Sequence, residues 1–393
     1  MLPEYPKSLG TARSAIRELF EYGKQRAAVV GAENVFDFSI GNPSVPAPAA
    51  VNETIADLLK RVDSVTLHGY TSAQGDGDAR ALIADNLNER YGTNYTGDAL
   101  YLTVGAAAAL CCCFHGLTCP GDEFVLFAPY FPEYQVFLQG AGAKVKVVPA
   151  EIEGFQIDFD ALERTMTPAT KGLVINSPNN PSGAVYSAET LKQLGNLLRE
   201  KQKEYGHPIY LITDEPYREI VFGESAPWVP DFYENTLVCY SFSKSLSLPG
   251  ERIGYVLVPP SVEESKLVYA CVAGAGRMMG YVNAPSLFQR VAAECCHMTA
   301  DLSVYERNCR LLTNSLRSMG FHVVEPKGTF YIFPRTLEAD AGAFCRRARE
   351  HDILVVPSDS FGCSGHFRMS FCVPTERIER ALPAFERLAA SYR

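Results

Sequence analysis

Seven short apolar runs, with helical stretches between them, constrain this chain more than any other feature. They are LYLTVGAAAALCCCFHGL (100–117), EFVLFAPYF (123–131), AKVKVVPA (143–150), TKGLVINSPNNPSG (170–183), IYLITDEPY (209–217), TLVCYSFSK (236–244) and IGYVLVPP (253–260). The first reads as a strand to Val104, a turn at Gly105 and an Ala/Cys helix. A strand that stays apolar without alternation is buried on both faces, and a mostly parallel sheet between helices provides that burial. The stretch 187–206 reads as a helix with a Ser/Glu capping box at Ser187 and a stop at Gly206. The expected class is α/β.

The C-terminal third changes character. A long helical stretch at 285–320 precedes FHVVEP (321–326), GTFYIFPR (328–335), a helix near 340–351, ILVVPS (353–358), FRMSFCV (367–373) and a final helix at 375–393. That order suggests a smaller α+β layer. With 393 residues, 47% of them apolar, the chain is long for one domain. We expect a large domain over 46–280 and a small domain formed by both termini, 1–45 and 281–393.

Charge narrows the function classes. The net charge is −9, with no basic footprint of the kind that grips a nucleic acid duplex. An acidic balance suits a protein that handles small molecules. No stretch approaches the roughly 18 apolar residues of a membrane helix. The N-terminus lacks the apolar core of a secretion signal and reads as an amphipathic helix with Ile16, Leu19, Phe20 and Tyr22. The 12 cysteines are scattered, without a paired C-x-x-C set. They read as small core residues in a reducing cytoplasm, not as disulfides or metal ligands. Cys363, near Gly362 and Gly365, is expected to be a free surface thiol.

In open α/β sheets, ligands gather outside the carboxyl ends of the strands. Three successive runs end there on polar residues. Asn179, Asn180, Pro181 and Gly183 close one, Asp214 and Tyr217 the next, and Ser241, Ser243 and Lys244 the third. A desolvated carboxylate at Asp214 is costly without a partner. It reads either as a cap or core acceptor, or as the partner of a protonated ring nitrogen. Lys244 reads either as a strand-end lysine reaching solvent, or as an amine kept neutral by burial and a nearby cation. A neutral amine can condense with a carbonyl. Arg252 reads as a surface ion pair or, with Ser241 and Ser243, as a phosphate grip. The helix opening at Gly105-Ala106-Ala107 offers free N–H groups to the same anion. One ligand answers the second reading of each: an aldehyde for Lys244, a ring nitrogen for Asp214 and a phosphate for the rest. Pyridoxal phosphate carries all three.

Two spacings sharpen this. S-x-S-K has an arginine eight residues on, and N-P-S-G at Asn180 is followed 34 residues later by D-x-x-Y, then 30 later by the lysine. In these motifs and their order, over essentially the whole length, the chain resembles the class I/II aminotransferases of pyridoxal-phosphate fold type I. The resemblance implies that Lys244 holds the cofactor covalently and then moves the substrate proton. It pairs Asp214 with the ring nitrogen, and Tyr217 and Asn180 with the phenolic oxygen. It sends Ser241, Ser243, Arg252 and the Gly105-Ala106-Ala107 turn to the phosphate. Phe131 matches the aromatic that stacks on the ring, though it also reads as a plain core aromatic. Gly41 matches a glycine that closes over the substrate, and Arg368 an arginine that clamps its α-carboxylate, with Asn180 beside them. Tyr70 matches a tyrosine that reaches the phosphate of a neighbouring subunit, which implies a homodimer with shared sites.

Some positions depart from the family pattern. Ala106 and Ala107 leave only backbone N–H groups where a polar side chain is common. Glu251 stands where a bulky residue is common, and Pro216 where an aliphatic one is usual. No second arginine for a dicarboxylate side chain is identifiable. The implied reaction is transamination between an L-amino acid and a 2-oxo acid, with Lys244 as general base. Aspartate with 2-oxoglutarate is the expected pair, with alanine, aromatic amino acids and broad specificity left open. The same residues would serve a carbon–sulfur β-lyase. A non-catalytic, transaminase-like ligand-binding protein is a third reading, against which the presence of Lys244 weighs. No metal, membrane or nucleic acid partner is expected.

Overall fold

The computed structural model describes residues 2–11, 15–223 and 225–393, with the side chains of 15–17 left aside. Its strands are β1 (Phe36–Asp37), β2 (Leu100–Thr103), β3 (Glu123–Phe127), β4 (Lys144–Val148), β5 (Thr170–Asn176), β6 (Tyr210–Asp214), β7 (Thr236–Ser241), β8 (Gly254–Leu257), β9 (Tyr331–Ile332), β10 (Ile353–Leu354), β11 (Val356–Pro357) and β12 (Phe367–Ser370). All seven apolar runs became strands of one sheet, in the order β2-β8-β7-β6-β5-β3-β4. Only β8 runs against its neighbours, so the sheet is mostly parallel.

Alternation along each strand decides what its side chains meet. Tyr101, Leu126, Val174, Ile212, Cys239 and Val256 face the helices Ala106–Leu117 and Ser265–Met278. Val125, Leu173 and Leu211 face the helices Phe159–Thr165 and Ala188–Tyr205. Leu102, Val238 and Leu257 face a third group of helices, Ala49–Arg61, Gly77–Tyr91 and Ser286–Glu294. Burial on both faces is the physical reason the runs lack alternation. The exception is the edge strand β4, whose Lys144 is exposed, as suits an unpaired edge.

A separate apolar cluster joins Phe38 to Tyr305, Leu312, Phe330, Phe344, Phe367, Phe385 and Leu388. Around it β12 pairs antiparallel with β11 and β9, β1 pairs parallel with β10, and the helix Thr375–Ala390 packs across them. This is the smaller α+β layer.

Several expectations need correction. The 285–320 stretch is two helices, Ser286–Glu294 and Ser303–Ser318. Just ahead of the second helix, Asp301 accepts from the Ser303 N–H and hydroxyl, while the Ala300 N–H bonds to the Ser245 carbonyl. FHVVEP forms no strand; Phe321 and Val323 are buried in the small core instead. At Ser187 the hydroxyl does accept from the third helical N–H, but that residue is Thr190, not Glu, and its hydroxyl meets the Ser187 hydroxyl and Gln156, so only one half of the capping box forms. Gly206 ends the helix at φ +76, as expected. Cys363 is buried, not at the surface. The N-terminal region forms two helices, Glu4–Thr11 and Ala15–Val30; Leu19 is buried and Phe20 largely exposed, and the Ile16 side chain lies outside the described residues. No helix among the described residues is long and apolar enough to cross a membrane.

Candidate active site

Parity on the sheet brings the polar strand ends together. Asn176, Asp214 and Ser241 continue the rows that face the helix Ala106–Leu117, and all three lie at carboxyl ends. With Lys244, they line a cavity of about 290 Å³. Grooves of about 650 and 620 Å³ elsewhere are larger but hold no buried lysine or carboxylate.

Asp214 is 5% exposed. Its Oδ2 accepts from the Tyr134 hydroxyl at 2.5 Å, while its buried Oδ1 has no partner. Burial lifts its carboxyl to about 7, against the lowering effect of the Tyr134 bond. Asn176 donates to the Asp214 carbonyl at 2.7 Å and accepts from the Asn180 N–H at 2.7 Å, which ties the ends of β5 and β6 together.

Lys244 stands on the short helix Phe242–Ser245, directly after β7. Its Nζ donates to the Gly41 carbonyl at 2.8 Å and lies 5.2 Å from the Phe330 ring centre. Burial draws its amine down to about 8; Cys372 opposes this, and Arg252 and Arg368 add to it.

One end of the cavity gathers two hydroxyls, a cation and the start of a helix. The Ser241 and Ser243 hydroxyls lie 2.7 Å apart. Arg252 donates to Pro249 at 2.9 Å and to the Ser243 hydroxyl at 3.5 Å, and its backbone holds a positive φ of +52. Ala106 and Ala107 line the same end with the first N–H groups of their helix. Gly105 takes φ +88, and a Cβ there would stand 2.7 Å from Arg252 Nη2.

The other end is built from the small layer and the segment 39–42. Arg368 is 2% exposed. It donates to Asn180 Oδ1 at 3.2 Å and the Ser39 carbonyl at 2.7 Å, and its Nε has no partner. Its guanidinium packs 4.6 Å from the Tyr331 ring centre. Cys372 bonds to the Asn42 carbonyl at 3.2 Å, so residues 39–42 are held from two sides. Any Cβ at Gly41 would collide with the Tyr331 hydroxyl. Tyr217 packs edge-on against Phe330 and Tyr331, and burial pushes its phenol well above the usual value. Phe131 lines the wall, edge-on to Tyr134 at 5.6 Å.

Gly41, Ala106, Ala107, Phe131, Asn180, Asp214, Tyr217, Ser241, Ser243, Lys244, Arg252 and Arg368 therefore share one cavity, with Gly105 against Arg252. Tyr70 does not join them; it is 95% exposed. The sequence reading missed Tyr134, Tyr331 and Asn176. Tyr134 stands in the first turn of the helix Glu133–Gly140, and its N–H bonds back to the Phe131 carbonyl at 3.1 Å; no spacing in the sequence ties it to Asp214.

The class I and II aminotransferase model matches residues 33–385. The chain is 29% identical over 368 residues to the aspartate aminotransferase of Thermotoga maritima, covering 92% of this chain and 93% of that one. It is 30% identical over 362 residues to the aspartate/prephenate aminotransferase of Thermus thermophilus, covering 88% and 89%. Among solved structures, an aminotransferase from Eubacterium rectale superposes with a TM-score of 0.98 at 56% identity, over 100% of this chain and 99% of that one. A Thermus thermophilus aspartate aminotransferase with maleate superposes at 0.86 and 26% identity, over 99% of each chain. The chain belongs to the class I and II aminotransferase family and is a pyridoxal-phosphate-dependent transaminase.

Proposed function

We propose that the 290 Å³ cavity holds pyridoxal phosphate and that the chain moves an amino group between an L-amino acid and a 2-oxo acid. The observation that carries the assignment is Asp214 Oδ1, a buried carboxylate oxygen without a donor. A buried acceptor left open is costly, and a ring N–H would satisfy it. When bound, the cofactor supplies an aldehyde for the amine and a ring that withdraws electrons.

The chain's own residues then divide the work. Tyr134 fixes one oxygen of Asp214 and leaves the other to meet the ring nitrogen. Ser241, Ser243, Arg252 and the N–H groups at 106–107 hold the phosphate, with no side chain from Ala106 or Ala107. Tyr217 and Asn180 reach the phenolic oxygen, and Phe131 supplies a flat apolar face. Arg368, with its Nε free, takes the α-carboxylate beside Asn180. Gly41 has no side chain, so residues 39–42 can approach the substrate. Lys244, with its amine near 8, is a base that can take and return a proton close to neutrality.

We assign aspartate as the amino donor on the names of the relatives, with 2-oxoglutarate as the expected acceptor. The cations lining the cavity are Lys244, Arg252 and Arg368, so a second carboxylate on the substrate needs a further cation from outside this lining. We also assign the protein to the cytoplasm, as a homodimer in which Tyr70 of one copy completes the phosphate site of the other. The purified protein is expected to be yellow, and aspartate with 2-oxoglutarate to give oxaloacetate and glutamate. Lys244→Ala is expected to lose turnover by at least about a thousandfold. A Lys244→Ala protein as active as the parent would overturn the assignment. Pyruvate and ammonia released from cysteine without any oxo acid would point to β-elimination instead.

A further inference from the structure

Behind the cavity, on the opposite face of the sheet, a second polar cluster is enclosed. Glu215 follows Asp214, so its side chain points away from the cavity. It pairs with Arg218 at 2.5 Å, both side chains being 3% exposed, and accepts from the Thr213 hydroxyl at 2.9 Å. The Arg218 guanidinium lies 4.6 Å from the Trp228 ring centre, 4.7 Å from Tyr240 and 5.7 Å from Tyr91. Tyr240 in turn donates to Glu219 at 2.9 Å, and its oxygen stands 2.8 Å from that of Ser245, the residue after Lys244. Arg90 closes the far side of Glu219 at 2.7 Å.

None of these groups lines the cavity. A buried ion pair adds little net stability over apolar residues of the same size. What this one does is geometric. Through Glu215 it holds the residue between Asp214, at the end of β6, and the turn that carries Tyr217; through Tyr240 it contacts β7, which leads into the short helix that carries Lys244. We propose that Arg218 is a positioning residue that fixes Asp214 and Tyr217 relative to Lys244. The proposal rests on the reading of the cavity as the transamination site. It adds a residue that touches neither cofactor nor substrate but sets the distance between the groups that do.

The test uses holoenzyme loaded with pyridoxal phosphate. Arg218→Met alone leaves Glu215 as an unpaired buried charge and can fail to fold. The double variant Glu215→Gln/Arg218→Met removes both charges together. Arg218→Lys keeps the charge but loses the planar fork and its stacking. For folded double variant we expect KM within about threefold of the parent and kcat lower by about tenfold or more. We also expect the pH midpoint of the visible cofactor band to move by about half a unit or more. Arg218→Lys should move both in the same direction by less. A purely structural role would lower the melting temperature and leave both unchanged. Folded variants, double or single, with parental kcat and parental midpoint would overturn the proposal. A parent that binds pyridoxal phosphate but turns over no amino acid would strike the transamination reading, while the midpoint shift would still decide on Arg218.

Discussion

Asp214 shows how much a single buried oxygen determines. Its carboxyl stands at about 7 in the folded chain, against a reference value of 3.8. The folded state therefore binds a proton that the unfolded state has lost between those values. Stability from this group is present below about 4 and is lost as pH rises through about 7. The depressed Lys244 amine acts in the opposite sense but only above about 8, so the two windows do not overlap. In cofactor-free protein, the urea midpoint of the parent is expected to fall between pH 5 and pH 8 relative to that of Asp214→Asn. Parallel midpoints for the two proteins would reject the burial account. The carboxylate itself was legible in the sequence, because an acid closing an apolar strand has few explanations. Its partner Tyr134 was not, since the two meet across 80 residues and only the fold brings helix and strand end together.

At the scale of elements, legibility followed burial. Strands covered on both faces declare themselves as unbroken apolar runs, and all seven did. The break at 295–302 did not, because Ala300 is stopped by a bond to Ser245, far away in sequence. FHVVEP was misread for a related reason. Its apolar residues fill a core without pairing to a neighbour, and composition cannot separate those cases. The turn from β2 into the helix Ala106–Leu117 is where element geometry and chemistry coincide. At φ +88 and ψ 176, Gly105 occupies a region that residues with a Cβ avoid. Gly105→Ala adds strain of about 1–3 kcal/mol and pushes on Arg252, whose side chain can yield. The variant is expected to fold with a lower melting temperature and to lose pyridoxal phosphate faster on dialysis. Parental retention would mean that the turn does not shape the anion site.

Over the whole molecule, the packing suggests how the chain is divided. The helix Ser286–Glu294 packs on Ala49–Arg61 and Gly77–Tyr91, while Ser303–Ser318 packs on the C-terminal helix. We propose that the large unit extends past this first helix, rather than ending near 280. On that proposed division, Lys244 and Arg368, which line one cavity, would come from different units. Tyr70 then remains, exposed on the large unit and away from its own chain's cavity. If it completes a neighbour's site, a mixture of two defective chains must recover activity. In a Tyr70→Ala/Lys244→Ala hybrid dimer, one site combines the intact Lys244 of one copy with the intact Tyr70 of the other. The second site carries both defects. Refolding the two variants together is therefore expected to restore up to about one quarter of parental turnover, because half of random dimers are hybrids with one sound site each. Each variant refolded alone should stay near its own low level. If Tyr70 served its own chain, no hybrid would contain a sound site, and the mixture would be no more active than the average of its parts.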